Sequence, residues 1–125
     1  MDALHFPDLD AHLCYHDLSG REPTGVYLHG LGTASSADFP AIVHHPRLSP
    51  YRSLLIDLLG SGFSGRPDAF SYSLEAHAAT VARLLDHLGL RACHLVGHSF
   101  GLDRDCPGRN PPRPHRRFGR RRTQP

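Results

Sequence analysis

Gly97-His98-Ser99-Phe100-Gly101 is the stretch whose reading decides the fold. It follows Arg91-Ala92-Cys93-His94-Leu95-Val96, which has the composition of a short buried strand. A G-x-S-x-G sequence leaving such a strand puts the serine on a tight, strained turn, with its hydroxyl directed up from the sheet. Glycine suits the flanking positions because no Cβ obstructs the strained dihedrals or the close approach of a following helix. Two glycines and a serine in five residues also arise by chance. The surrounding chain has to decide between the two readings.

Upstream, Gly25-Val26-Tyr27-Leu28-His29-Gly30-Leu31-Gly32 reads as an apolar strand running into a glycine-rich turn. A loop of that kind can bring a backbone N–H within reach of a developing oxyanion. Arg52-Ser53-Leu54-Leu55-Ile56-Asp57 reads as a second buried strand, followed by Leu58-Leu59-Gly60-Ser61-Gly62-Phe63-Ser64, too rich in Gly and Ser to continue regular structure. Between that loop and the serine lies a helix. Leu74, Ala78, Val81, Leu85 and Leu88 recur at spacings of four and three, one apolar stripe of a 3.6-residue repeat. Ser73 is the expected N-cap, Glu75 suits the positive end of the dipole, and Gly89 is placed to end the helix. His77, Arg83 and His87 are expected on its solvated face. Strands alternating with glycine loops and a helix give the rhythm of a mostly parallel sheet flanked by helices, an α/β fold.

At these residues the chain resembles the α/β-hydrolase family. Val26–Gly32 is similar to that family's strand ending in an H-G turn, and 57–64 to its D-x-x-G-x-G-x-S loop. Gly97–Gly101 is similar to its G-H-S-x-G elbow. The likeness runs from roughly Leu13 through Gly101, which makes 1–101 the N-terminal part, about half, of an α/β-hydrolase core. The resemblance implies that Ser99 is the nucleophile and that the backbone N–H groups of Leu31 and Phe100 form the oxyanion hole. It also implies that His29, Gly30, Gly97, His98 and Gly101 shape the turn and the elbow. Gly30, Gly60 and Gly62 are expected as turn-formers, and Asp57 as a loop-organising carboxylate rather than a catalytic acid. A serine at position 99 disfavours the branches that use an aspartate nucleophile. The implied activity is hydrolysis of an ester, amide or related carbonyl compound, a small-molecule substrate, without a cofactor. In the family the acid and the histidine follow the serine in chain order, so both belong beyond Gly101. The chain by itself is therefore expected to be a truncated form lacking activity.

The pattern stops at Gly101. Residues 102–125 carry Pro107, Pro111, Pro112 and Pro114, through which no helix can run. Eight of the fourteen basic residues lie between Asp103 and Arg122, and all fourteen are arginine. Arginine without lysine points to a GC-rich gene. Read from the second base of each codon, the tail is compatible with an Ala-rich helix, a turn and a Val-rich strand. That favours a one-base insertion or two-base deletion near codon 102 and a disordered tail. The alternatives are a non-functional translation product and a basic arm. Residues 1–102 have six Arg against ten acids, net −4, and 103–125 have eight against two, net +6. Such an arm attracts phosphate backbones without reading sequence. Nucleic acid is the less favoured partner, because the tail has no recognition helix, no metal spacing and one aromatic, Phe118.

The 125 residues bound the chain to at most one domain. No apolar run approaches the ~20 residues that a membrane helix needs, and the first residues have no secretory signal pattern. The expectation is a cytoplasmic protein without membrane contact. Cys14, Cys93 and Cys106 are an odd number with no motif spacing, which argues against a disulfide framework. Cys93 is expected as a small core residue. Of the eleven histidines, His44 and His45 fall in a loop before Pro46. His94 and His98 are four apart, but on a strand and a turn rather than one helical face, so no metal site is expected. His115 stands among Pro and Arg with nothing to orient it as a base. Cut off at Gly101, the elbow strand would leave an apolar sheet edge, so aggregation or self-association is expected.

Overall fold

The computed structural model describes residues 1–98. Ser99, Phe100, Gly101 and the tail 102–125 lie outside the described residues, and with them the expectations placed there. The chain opens with a hairpin of β1 (Asp2–Phe6) and β2 (Ala11–Leu18), whose antiparallel register runs from Asp2↔Tyr15 to Phe6↔Ala11. Ala11, Leu13 and Tyr15 face the core and are buried while His12 on the other face is exposed; Cys14, on the face of His12, is covered as well. This hairpin has no counterpart in the sequence reading, which starts its strand pattern at Gly25.

β3 (Arg21–Leu28), β4 (Tyr51–Ile56) and β5 (Cys93–Gly97) are the three parallel strands. The sheet order is β1-β2-β4-β3-β5, with β2 antiparallel to β4. Two short helical turns, α1 (Ser35–Asp38) and α2 (Pro40–Val43), connect β3 to β4. α3 (Leu74–His87) connects β4 to β5. The first connection steps to one side of β3 and the second returns across it. Right-handed crossovers in opposite directions put their helices on opposite faces of the sheet. The side chains follow. Val26, Leu28, Leu54 and Ile56 pack with Phe6, Leu13, Tyr15 and the α3 residues Val81, Leu84 and Leu85. Tyr27 and Leu55, one position out of phase, pack with Phe39 and Val43 of the α1–α2 layer.

α3 begins where Ser73 Oγ accepts the N–H of Ala76 at 3.1 Å. It ends at Gly89, whose φ of +68° is the left-handed conformation that lets the chain turn out of the helix. Its buried face differs from the expected stripe. Val81 and Leu85 are buried as expected, but Leu74, Ala78 and Leu88 are only half-buried, and Leu84 joins the core. His77 is 5% exposed rather than solvated. The reason is the segment before the helix, which folds back so that the Phe70 ring stands edge-on to His77 at 5.0 Å and Tyr72 at 6.0 Å. Arg83 and His87 are exposed, as expected. Arg83 donates to both carboxylate oxygens of Asp8 at 2.9 and 3.1 Å and lies over the Phe6 ring at 4.1 Å. That pair pins α3 to the hairpin.

β5 is half-exposed rather than buried, with His94 and Val96 open to solvent and Cys93 partly covered. Among the described residues nothing pairs with its outer edge. A strand bonded on one side only cannot be as enclosed as its composition suggested.

Candidate active site

The parallel strands are aligned so that their ends are level. Leu28 stands opposite Ile56 on one side and opposite Gly97 on the other. One residue further, the His98 N–H donates to the Leu28 carbonyl at 3.2 Å. The turn 29–32, the loop 57–65 and residues 97–98 therefore emerge together at the carboxyl edge of the sheet. The strand order reverses at β3, and a crevice at the carboxyl ends of strands beside such a reversal is where open α/β sheets bind ligands.

His29 is 1% exposed and joins two of these loops. Its Nε2 lies 2.9 Å from the Leu58 N–H, which can only donate, so Nε2 is the acceptor. The proton is then on Nδ1, which donates to the Gly30 carbonyl at 2.7 Å. The His29 N–H donates to Ser35 Oγ at 3.1 Å, and that hydroxyl donates to the Tyr27 carbonyl at 3.0 Å. Thr33 adds its Oγ1–H and N–H to the Gly30 carbonyl, at 3.0 and 3.4 Å. The result is a turn tied from inside. Leu31 at its tip is 83% exposed.

Asp57 organises the neighbouring loop, the role its sequence context suggested. Its Oδ1 accepts the Ser36 N–H at 2.9 Å, and its Oδ2 accepts the Ser36 hydroxyl at 2.7 Å and the Phe63 N–H at 3.1 Å. Its backbone carbonyl accepts from Ser64 Oγ, which in turn accepts the Cys14 N–H at 2.8 Å. Gly62, at φ +53°, passes so close that a Cβ there would stand 2.2 Å from Asp57 Oδ2. With both oxygens occupied within the scaffold, this carboxylate is a brace. The Cys14 thiol, whose Sγ donates to the Phe63 carbonyl at 3.2 Å, is pushed up by burial and by the Asp57 charge.

Of the residues singled out in the sequence, His29, Gly30, Leu31, Gly97 and His98 are brought to one edge of the sheet. Ser99, Phe100 and Gly101 are not among the described residues. Thr33, Ser35 and Ser36 were missed. Three small hydroxyl residues in a four-residue run after a glycine turn are the pattern that could have flagged them. His44, His45 and His94 are exposed away from this edge. Among the described residues no group of three or more His, Cys, Asp or Glu side chains could hold a metal ion. None of the helices described is long and apolar enough to cross a membrane.

Comparison with known proteins agrees with this geometry. A family model described as "alpha/beta hydrolase fold" matches residues 26–101. The chain is 37% identical over 87 residues to 2-hydroxy-6-oxo-2,4-heptadienoate hydrolase of Pseudomonas putida, covering 69% of this chain and 31% of that protein. It is 42% identical over 78 residues to the mesoderm-specific transcript homolog protein of Bos taurus, covering 61% and 23%. Among solved structures, a hydrolase from Pseudomonas aeruginosa PA01 superposes with a TM-score of 0.64 at 30% identity, over 80% of this chain and 37% of that one. The chain thus spans about a quarter to a third of the length of the curated relatives it matches.

Proposed function

The chain belongs to the α/β-hydrolase fold family, and from that premise we propose that it carries the nucleophile half of a serine hydrolase site. Ser99 is the nucleophile, and the N–H groups of Leu31 and Phe100 receive the oxyanion. The substrate is a small molecule with an ester, amide or related carbonyl group. The Pseudomonas putida relative is named as a 2-hydroxy-6-oxo-2,4-heptadienoate hydrolase, and the oxo group in that name is a carbonyl, which fits this class.

The observation that supports the reading best is the level ending of β3 and β5. With the His98 N–H bonded to the Leu28 carbonyl, the described chain leaves β5 beside the turn 29–32, and Ser99 is the next residue in the sequence. In the reaction, Ser99 Oγ attacks the carbonyl carbon while a histidine takes its proton, and the carbonyl oxygen gains the charge that the two N–H groups receive. The histidine and its acid come from the remainder of the family fold. Within the 125 residues the one histidine that follows Ser99 in sequence is His115, in a run of Pro and Arg. We propose accordingly that this chain by itself does not turn over substrate.

The test supplies what is missing. Residues 1–101 are joined to the C-terminal two-thirds of the Pseudomonas putida hydrolase, and turnover of a short-chain nitrophenyl ester is followed. The chimera is expected to be active and to lose on the order of 10⁴-fold or more in turnover in Ser99→Ala. The 125-residue chain is expected to match its own Ser99→Ala variant at background. A chimera that keeps its rate without Ser99, or Ser99-dependent turnover by the short chain, would refute the respective claim.

A further inference from the structure

We infer that the Thr33 hydroxyl is a positioning group that aims the Leu31 N–H outward, towards the place where an anionic oxygen would sit. The inference rests on the proposal that Leu31 is an oxyanion donor and adds to it the device that holds this donor in line. It follows from the geometry of one peptide group.

The Gly30 carbonyl and the Leu31 N–H belong to the same planar trans peptide, so they point in opposite directions. The carbonyl is gripped from the protein side by His29 Nδ1–H at 2.7 Å, by Thr33 Oγ1–H at 3.0 Å and by the longer Thr33 N–H contact at 3.4 Å. Holding the oxygen inward turns the N–H outward. Among the described residues the Leu31 N–H has no hydrogen-bond partner, and its side chain is exposed. Little else resists rotation of this peptide. On its N-terminal side stands Gly30, which has no Cβ to restrict the dihedral that turns the peptide, and on the other side the Leu31 side chain is in solvent. The direction of the N–H is therefore set by what holds the carbonyl.

His29 is buried and bridges to Leu58, so replacing it would disturb the scaffold as well as the peptide. Thr33 is different. Its side chain lies on the surface, and its hydroxyl bonds the Gly30 carbonyl. It is the member of the grip whose loss should leave the fold intact. Donors fixed before the reaction begins are what make an oxyanion site effective, and a swivelling peptide would forfeit that.

The experiment uses the 125-residue chain in dilute solution, with Thr33→Val and Thr33→Ser. Backbone amide and carbonyl NMR shifts are recorded while sodium acetate is added as a carboxylate probe. In the unsubstituted chain the Leu31 amide proton is expected to move downfield saturably. In Thr33→Val the Gly30 carbonyl signal should move upfield and apparent acetate binding at Leu31 should weaken about fivefold, the worth of one hydrogen bond. Thr33→Ser, which keeps the hydroxyl, should stay within about twofold of the original. The urea midpoint should be the same in all three, which a merely structural role of Thr33 would not allow. A Thr33→Val chain that binds acetate at Leu31 as well as the original overturns the role of Thr33 and leaves the oxyanion reading standing. An original chain whose Leu31 amide ignores acetate overturns the oxyanion reading, and this inference falls with it.

Discussion

At the scale of single residues, the site depends on a few buried polar side chains that accept or donate from more than one loop. Asp57, 1% exposed, is the strongest case, because two donors from Ser36 of α1 and one from Phe63 of the following loop converge on its carboxylate. Removing a charged acceptor leaves those donors buried without partners, and that costs more than the bonds contributed. Asp57→Ala is therefore expected to lower unfolding free energy by about 3 kcal/mol, read as a lower urea midpoint at unchanged slope. An unchanged midpoint would mean that the loops hold themselves. Asp57 could be expected as a brace because 57–64 resembles the D-x-x-G-x-G-x-S loop of the family. The part played by His29 could not. Its tautomer depends on the Leu58 N–H, supplied 29 positions further along the chain. No local pattern encodes that meeting.

At the scale of elements, α3 was the most legible segment and still misread on one side. Its ends were set by local chemistry, Ser73 at the start and Gly89 past the end, and both do what their residue types favour. Ser73→Ala removes the acceptor for the Ala76 N–H and is expected to cost about 1 kcal/mol, seen as a lower thermal midpoint by circular dichroism, with Ser73→Asp keeping the original value. The inward face was harder to read. Histidine counts as polar in a periodicity, yet His77 is enclosed by Phe70 and Tyr72. The aromatic rings come from a segment whose path no repeat describes. The hairpin β1–β2 escaped notice for a related reason. His5 and His12 sit opposite each other with rings 4.6 Å apart, and the polar residues beside Leu4 and Leu13 blur a short alternation. For β5 the composition was right and the environment was not, since enclosure depends on neighbours that lie elsewhere in the chain.

At the scale of the whole molecule, the helical layers on the two faces of the sheet follow from strand order and period-two alternation; the parallel strands and flanking helix were legible from Gly25 onward, but the order of the strands was not. Burial on this scale also sets a pH dependence. Burial and the Asp57 charge push the Cys14 thiol above its ordinary 9.0. Burial first, then the carboxylates of Asp2 and Asp17, pushes the Tyr15 phenol above 10.0. Both groups are neutral when protonated, and the unfolded chain gives up these protons at lower pH than the folded one. The stability they provide is whole below the unfolded values and is lost as pH rises towards the folded ones. The urea midpoint is expected to hold steady up to about pH 8 and to fall above about pH 9. Cys14→Ala should remove the earlier part of that fall, and a profile identical in both chains would rule the thiol out.

The two margins of the sheet differ in kind. β1 is joined to β2 by its own short turn, carries Asp2 and His5 outward, and ends the sheet on that flank. Charge at a border strand discourages any newcomer. Among the described residues β5 offers the contrary, a row of backbone donors and acceptors with Val96 facing water. Growth of this β-layer is consequently one-directional: further strands can be added beyond Cys93–Gly97, on the same flank from which the catalytic serine is proposed to rise.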